Sequence, residues 1–111
     1  MDKPDEKIGQ LQMYEQSLQN ILMQKQQFQS QLSEIDSALK EMESSTETYR
    51  IVGNIMVLTK KEDLQKELEE KNSSVKLRIK TIEKQEESIR EKAQSLQSEI
   101  MKGMEKDEGR K

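Results

Sequence analysis

The sequence predicts an all-α dominated fold with a small β element: an antiparallel two-helix coiled coil joined by a β-hairpin. Three observations predict it. Apolar residues recur with a seven-residue period before residue 44. They recur so again after residue 60. Between the two lies Thr48 to Thr59, T-Y-R-I-V-G-N-I-M-V-L-T, where the helical period stops.

That central stretch organises the chain. Tyr49, Ile51, Val52, Ile55, Met56, Val57 and Leu58 are mostly β-branched, aromatic or otherwise strand-compatible. They flank Gly53-Asn54, a dipeptide that can supply the positive φ angles of a two-residue turn. The expected strands are Tyr49–Val52 and Ile55–Leu58, a hairpin over residues 49–58. Because Pro fixes φ near −65°, Asn54→Pro is expected to break this turn.

The first helix is expected over residues 8–44. One seam series is Leu11, Leu18, Lys25, Leu32 and Leu39; the interleaved series is Tyr14, Ile21, Phe28, Ile35 and Met42. Lys25 is the polar exception. A stripe repeating every seven residues keeps one narrow face toward one partner helix. At 1.5 Å per residue this helix extends roughly 50 Å. Residues 1–7 carry Pro4 and lead into the helix near Asp5. Glu43-Ser44-Ser45-Thr46-Glu47 has poor helix formers and reads as a linker.

The second helix is expected over residues 60–104. Thr59-Lys60-Lys61-Glu62 has the spacing of a capping box, in which the Thr59 hydroxyl and Glu62 would satisfy each other's amides. Its seam is Leu68, Val75, Ile82, Ile89 and Leu96, with Asn72, Ile79, Glu86, Ala93 and Ile100 interleaved. Leu64 and Leu77 lie beside it. Lys25 and Glu86 are offset by about one turn from facing positions, so a pair between them is possible but not favoured. Residues 105–111 read as a flexible, mixed-charge tail.

Composition excludes several function classes. The 111 residues suffice for one domain, 31% are hydrophobic and 37% charged, and only Tyr and Phe represent the aromatics. The net charge of −3 and a pI of about 5.2 argue against a nucleic-acid surface. Without Cys or His, the usual zinc sites and thiol chemistry are excluded. The acidic residues lack calcium-loop spacing, no Gly-rich phosphate loop exists, and no apolar pocket is indicated that would tune a carboxylate. The chain is thus expected to be no enzyme, to need no metal or cofactor, and to be soluble and intracellular, with no membrane span.

A lone hairpin is marginal in water, and its unpaired edges and two apolar faces invite other hairpins. Tyr49, Ile51, Val52, Gly53, Asn54, Ile55, Met56, Val57 and Leu58 are therefore the candidate subunit-assembly residues. The seam runs out of partner where both chain ends meet. There Ile8, Leu11, Met13 and Tyr14 on the first helix, and Ile100, Met101 and Met104 on the second, are candidates for adaptable contact with exposed apolar segments of other chains. Met23 also lies off the seam.

The strand–turn–strand Tyr49-Arg50-Ile51-Val52-Gly53-Asn54-Ile55-Met56-Val57 resembles the prefoldin family, in its archaeal β subunit form. Leu68-Glu69-Glu70-Lys71, Thr81-Ile82-Glu83-Lys84-Gln85-Glu86-Glu87 and Gln24-Lys25-Gln26 extend the resemblance over nearly the whole chain. It implies a cytoplasmic hetero-hexamer with two α-type and four β-type subunits, its hairpins forming a β-barrel platform from which coiled coils project. It implies an ATP-independent holdase whose coil tips bind unfolded client proteins and deliver them to a chaperonin. The alternative is a structural coiled-coil adaptor joining specific folded partners.

Overall fold

The computed structural model describes residues 4–109. The element order is α1 (Pro4–Glu43), β1 (Thr48–Val52), β2 (Ile55–Thr59) and α2 (Lys61–Gly109). Helix α1 starts at Pro4, earlier than residue 8, because Pro is well suited to a first helical position. Asp5 and Glu6 in its first turn and Lys40 in its last complement the helix dipole. Helix α2 continues beyond the expected boundary at residue 104 to Gly109, so most of the expected tail is helical. Residues 110 and 111 of that tail, and 1–3 of the N-terminal stretch, lie outside the described residues.

Every seam position on both helices is buried or half-buried, whereas most residues between them are exposed. The seven-residue period therefore selects the packed face as expected. No side chain among the described residues is wholly enclosed. Two helices cover each other along one stripe only, so each seam residue keeps a route to solvent.

The chain divides into two compact units, Met1–Lys25 with Thr81–Lys111, and Gln26–Lys80. In the first, Ile21, Ile82 and Leu96 are the buried apolar residues. The ion pairs Lys7–Glu99 at 3.7 Å and Lys25–Glu86 at 3.5 Å show its two helical segments to be antiparallel. Lys25 and Glu86 thus do pair, contrary to the less favourable expectation. Side chains on a helix lean toward its N-terminus. On antiparallel helices those two leans converge and close an offset of about one turn. Arg90 adds a second cation, 3.7 Å from the Glu86 carboxylate.

In the second unit Met42, Val75 and Ile79 are buried. Asn72, the polar seam residue, donates to Asp36 at 2.6 Å, and the Arg78 guanidinium lies 5.8 Å from the Phe28 ring centre. The end of α1 is capped without glycine. Ser45 Oγ donates to the Glu41 carbonyl at 2.9 Å, the Ser45 amide to Met42 at 3.2 Å, and Lys61 Nζ to the Glu43 and Ser45 carbonyls at 3.4 and 3.1 Å.

The hairpin pairs Thr48 with Thr59, Tyr49 with Leu58, Arg50 with Val57, Ile51 with Met56 and Val52 with Ile55. It is one residue longer at each outer end than expected, and Thr48 Oγ1 donates to the Thr59 carbonyl at 2.7 Å. That extension displaces the expected capping box. Thr59 belongs to β2, and its hydroxyl donates to the Val57 carbonyl; the N-cap is Lys60, whose carbonyl accepts from the Leu64 amide at 3.1 Å. In the turn only Gly53 has positive φ, at 61°, while Asn54 does not. This is the type II′ pattern, with glycine first. The expected φ conflict of Asn54→Pro is therefore absent, and the sensitive position is Gly53.

A Cβ at Gly53 would meet open space, so only backbone strain opposes it. Gly53→Ala is expected to cost about 1 kcal/mol, read by denaturant unfolding; an unchanged midpoint would contradict the turn assignment. The Lys25–Glu86 pair is expected to show a coupling of about 0.5–1 kcal/mol in a double-mutant cycle of Lys25→Ala and Glu86→Ala. Additive effects would place the two side chains apart.

Candidate functional site

Among the described residues, most exposed apolar side chains gather on two surfaces, one in each unit. The hairpin supplies the first. Pairing across the strands puts Thr48, Arg50, Val52, Ile55, Val57 and Thr59 on one face and Tyr49, Ile51, Met56 and Leu58 on the other. The second face is wholly apolar apart from one phenol. Ile51 is 73% exposed, Met56 64% and Leu58 65%. Val52, Ile55 and Val57 are exposed as well, so both faces present apolar surface near the turn.

Polar contacts gather at the hairpin base. The Tyr49 hydroxyl donates to Glu47 Oε2 at 2.8 Å. That bond to a carboxylate raises the phenol above its ordinary value, with desolvation adding to it. A raised phenol favours the protonated form in the folded chain, so the contact holds through neutral pH and is lost in alkali. From the other face Arg50 reaches α2. Its Nη1 donates to Glu67 Oε1 at 3.1 Å and its Nη2 donates to Glu67 Oε2, while Lys71 Nζ stands 3.9 Å from the same carboxylate.

The second surface belongs to the unit holding both helix ends. The expected client-contact residues divide into two groups there. Ile8, Met13, Met101 and Met104 are exposed, Met13 most of all at 68%. Leu11, Tyr14 and Ile100 are half-buried in the seam, and the Tyr14 hydroxyl accepts from Gln10 Nε2 at 3.1 Å. The Lys7–Glu99 ion pair brings the start of α1 beside the end of α2, next to Ile8 and Ile100. A shallow groove lined by Gln10, Tyr14, Leu96 and Glu99 opens there, more polar than the sequence pattern suggests. Leu22, absent from the sequence candidates, is also exposed, beside Met23. The run Ile21-Leu22-Met23 was its available signal, since a narrow seam covers only one of three consecutive apolar residues.

Among the described residues no group of His, Cys, Asp and Glu could hold a metal ion. None of their helices is long and apolar enough to cross a membrane.

A two-helix chain that leaves an apolar hairpin uncovered belongs to a class whose unpaired strand edges can pair with other chains. Comparison with known proteins makes the class specific. Residues 5–107 match the family described as Prefoldin subunit. The chain is similar to prefoldin subunit beta of Archaeoglobus fulgidus, 40% identical over 96 residues that cover 84% of this chain and 83% of that one. It is also similar to prefoldin subunit beta of Pyrococcus furiosus, 38% identical over 96 residues, 84% and 82% of the two chains. The crystal structure of the prefoldin beta subunit from Thermococcus strain KS-1 superposes with a TM-score of 0.84 at 35% identity, covering 90% of both chains.

The chain belongs to the prefoldin family, and the relatives named above are archaeal β subunits. Prefoldin is a chaperone family, and the chain has the role of a chaperone subunit; this favours the chaperone over the adaptor reading. Membership implies assembly with other prefoldin subunits and binding of client proteins.

Val52 is 56% exposed in the single chain, so a charge there costs the lone chain little. Val52→Asp is expected to leave helicity unchanged while shifting the assembly to smaller species, because an unpaired charge buried between hairpins is costly. Light scattering that still detects the full assembly would contradict the hairpin's role.

Proposed function

We propose that this chain is the β-type subunit of a cytoplasmic hexamer of two α-type and four β-type prefoldin subunits. The hexamer acts as an ATP-independent holdase. Its hairpins assemble the particle, its helix ends bind unfolded client proteins, and it hands them to a chaperonin. It catalyses no reaction and uses no cofactor. The observation that carries the reading is the pair of separate uncovered apolar surfaces, the hairpin in one unit and Ile8, Met13, Met101 and Met104 in the other.

Their chemistry suits two different tasks. The hairpin residues are mainly β-branched, stiff at χ1, and paired in fixed register, which favours a single well-packed interface. The helix ends present methionines, whose unbranched thioether side chains adapt to many shapes. Polar neighbours such as Gln10, Gln12, Gln16 and Ser98 dilute the apolar area and favour release. Several weak contacts on one assembly act together through effective concentration.

Removing residues 1–11 and 101–111 is expected to abolish suppression of aggregation of an unrelated refolding protein while the oligomer persists. The measurement compares scattering by the refolding protein in the presence of intact and trimmed assemblies. Equal suppression by both would place client binding elsewhere. Selective binding of one folded protein, with no preference for unfolded chains, would favour an adaptor.

A further inference from the structure

The hairpin is joined to α2 by Lys60 alone, while residues 44–47 join it to α1. One exposed linking residue makes a hinge. Nothing in a single-residue joint by itself sets the angle between the strands and the helix, or which hairpin face turns outward. Arg50 and Glu67 sit where they can set both. Arg50 is paired with Val57, about 10 Å along the strand from Lys60. Glu67 lies about 10 Å along α2 from the same residue. A bridge fixed at that distance on both legs of a hinge fixes its angle.

We propose that Arg50 and Glu67 are positioning residues, a clamp that holds the hairpin against α2 so that the Tyr49, Ile51, Met56 and Leu58 face is presented to neighbouring subunits. The inference rests on the hairpin-assembly reading and adds what orients the hairpin for it. Four observations support the clamp. The contact is doubled, with both terminal guanidinium nitrogens on both carboxylate oxygens, a geometry that restrains direction as well as distance. Among the described residues, the hydrogen bonds tying a strand side chain to a helix side chain are those of this pair. At the hairpin base Arg50 shares its face with Thr48, which is buried, and Thr59, which is half-buried, so the clamp draws the covered base of that face toward the helix, while Val52, Ile55 and Val57 nearer the turn stay exposed. The opposite face, left outward, is the more exposed one. Lys71 brings a second positive charge to within 3.9 Å of the Glu67 carboxylate.

The test is a charge-reversal cycle in the full chain: Arg50→Glu, Glu67→Arg and the double variant, with Ile51→Asp as a probe of the interface itself. Each is mixed with an archaeal prefoldin α-type subunit, and light scattering gives the concentration of half assembly. Circular dichroism follows helicity. Each single reversal is expected to raise that concentration about fivefold, from loss of the pair and new repulsion, at unchanged helicity. The double variant is expected to return to within about twofold of the parent. A residue that touched the neighbouring subunit directly would not be rescued by reversing its partner, and a pair that merely supported the fold would lower helicity in the single variants. Singles that assemble normally, or a double variant no better than the worse single, overturn the clamp. If Ile51→Asp also assembles normally, the hairpin-assembly reading itself fails, and the clamp with it.

Discussion

Everything in this chain depends on a seam that is only one stripe wide. Two helices bury one face each, and that is all the apolar burial the fold provides within itself. The composition matches the constraint: with 31% hydrophobic residues, few apolar side chains remain once the seam is filled. Those that remain outside it carry unusual weight. They are concentrated in the hairpin and near the helix ends, with Leu22, Met23 and Leu77 along the flanks. A fold with a thick core would hide such residues, whereas a single seam leaves them available to other chains.

Because the seam is narrow, polar residues inside it are tolerated at modest cost. Lys25, Glu86 and Asn72 each find a partner across the coil or beside it. None is sealed from water: the Glu86 side chain is 12% exposed and that of Lys25 22%. Partial solvation lowers the desolvation penalty that makes fully buried ion pairs costly. What such a layer contributes is choice of alignment, since sliding one helix past the other would part the charges.

The helices and the hairpin were legible in the sequence because each has a period of its own: seven residues for the seam, two for the strands. The hairpin's exposed apolar faces followed from the same pattern, because a two-sided apolar hairpin has no place in a continuous coil. Details fixed by tertiary geometry were not legible. Thr59 has capping-box spacing, but strand pairing with Thr48 claims it first. The turn needs one positive φ rather than two, a distinction the dipeptide Gly-Asn does not make. Lys25 and Glu86 look offset when residues are counted by backbone level, and meet because side chains lean. Arg50 and Glu67 are 17 residues apart on different kinds of element, so no periodicity links them. At the helix ends the sequence located the exposed methionines, but it did not separate them from Leu11, Tyr14 and Ile100, which the last seam layers still half cover.

The central claim is that assembly and client binding use different apolar surfaces of one chain. Amide hydrogen exchange on the assembled particle, with and without an unfolded client, tests it most directly. The account predicts that the amides of 49–58 are protected by assembly and unchanged by client, while protection rises over 8–14 and 100–104 when client is added. Client-dependent protection confined to the hairpin, or spread along the middle of the seam with the helix ends unchanged, would contradict it.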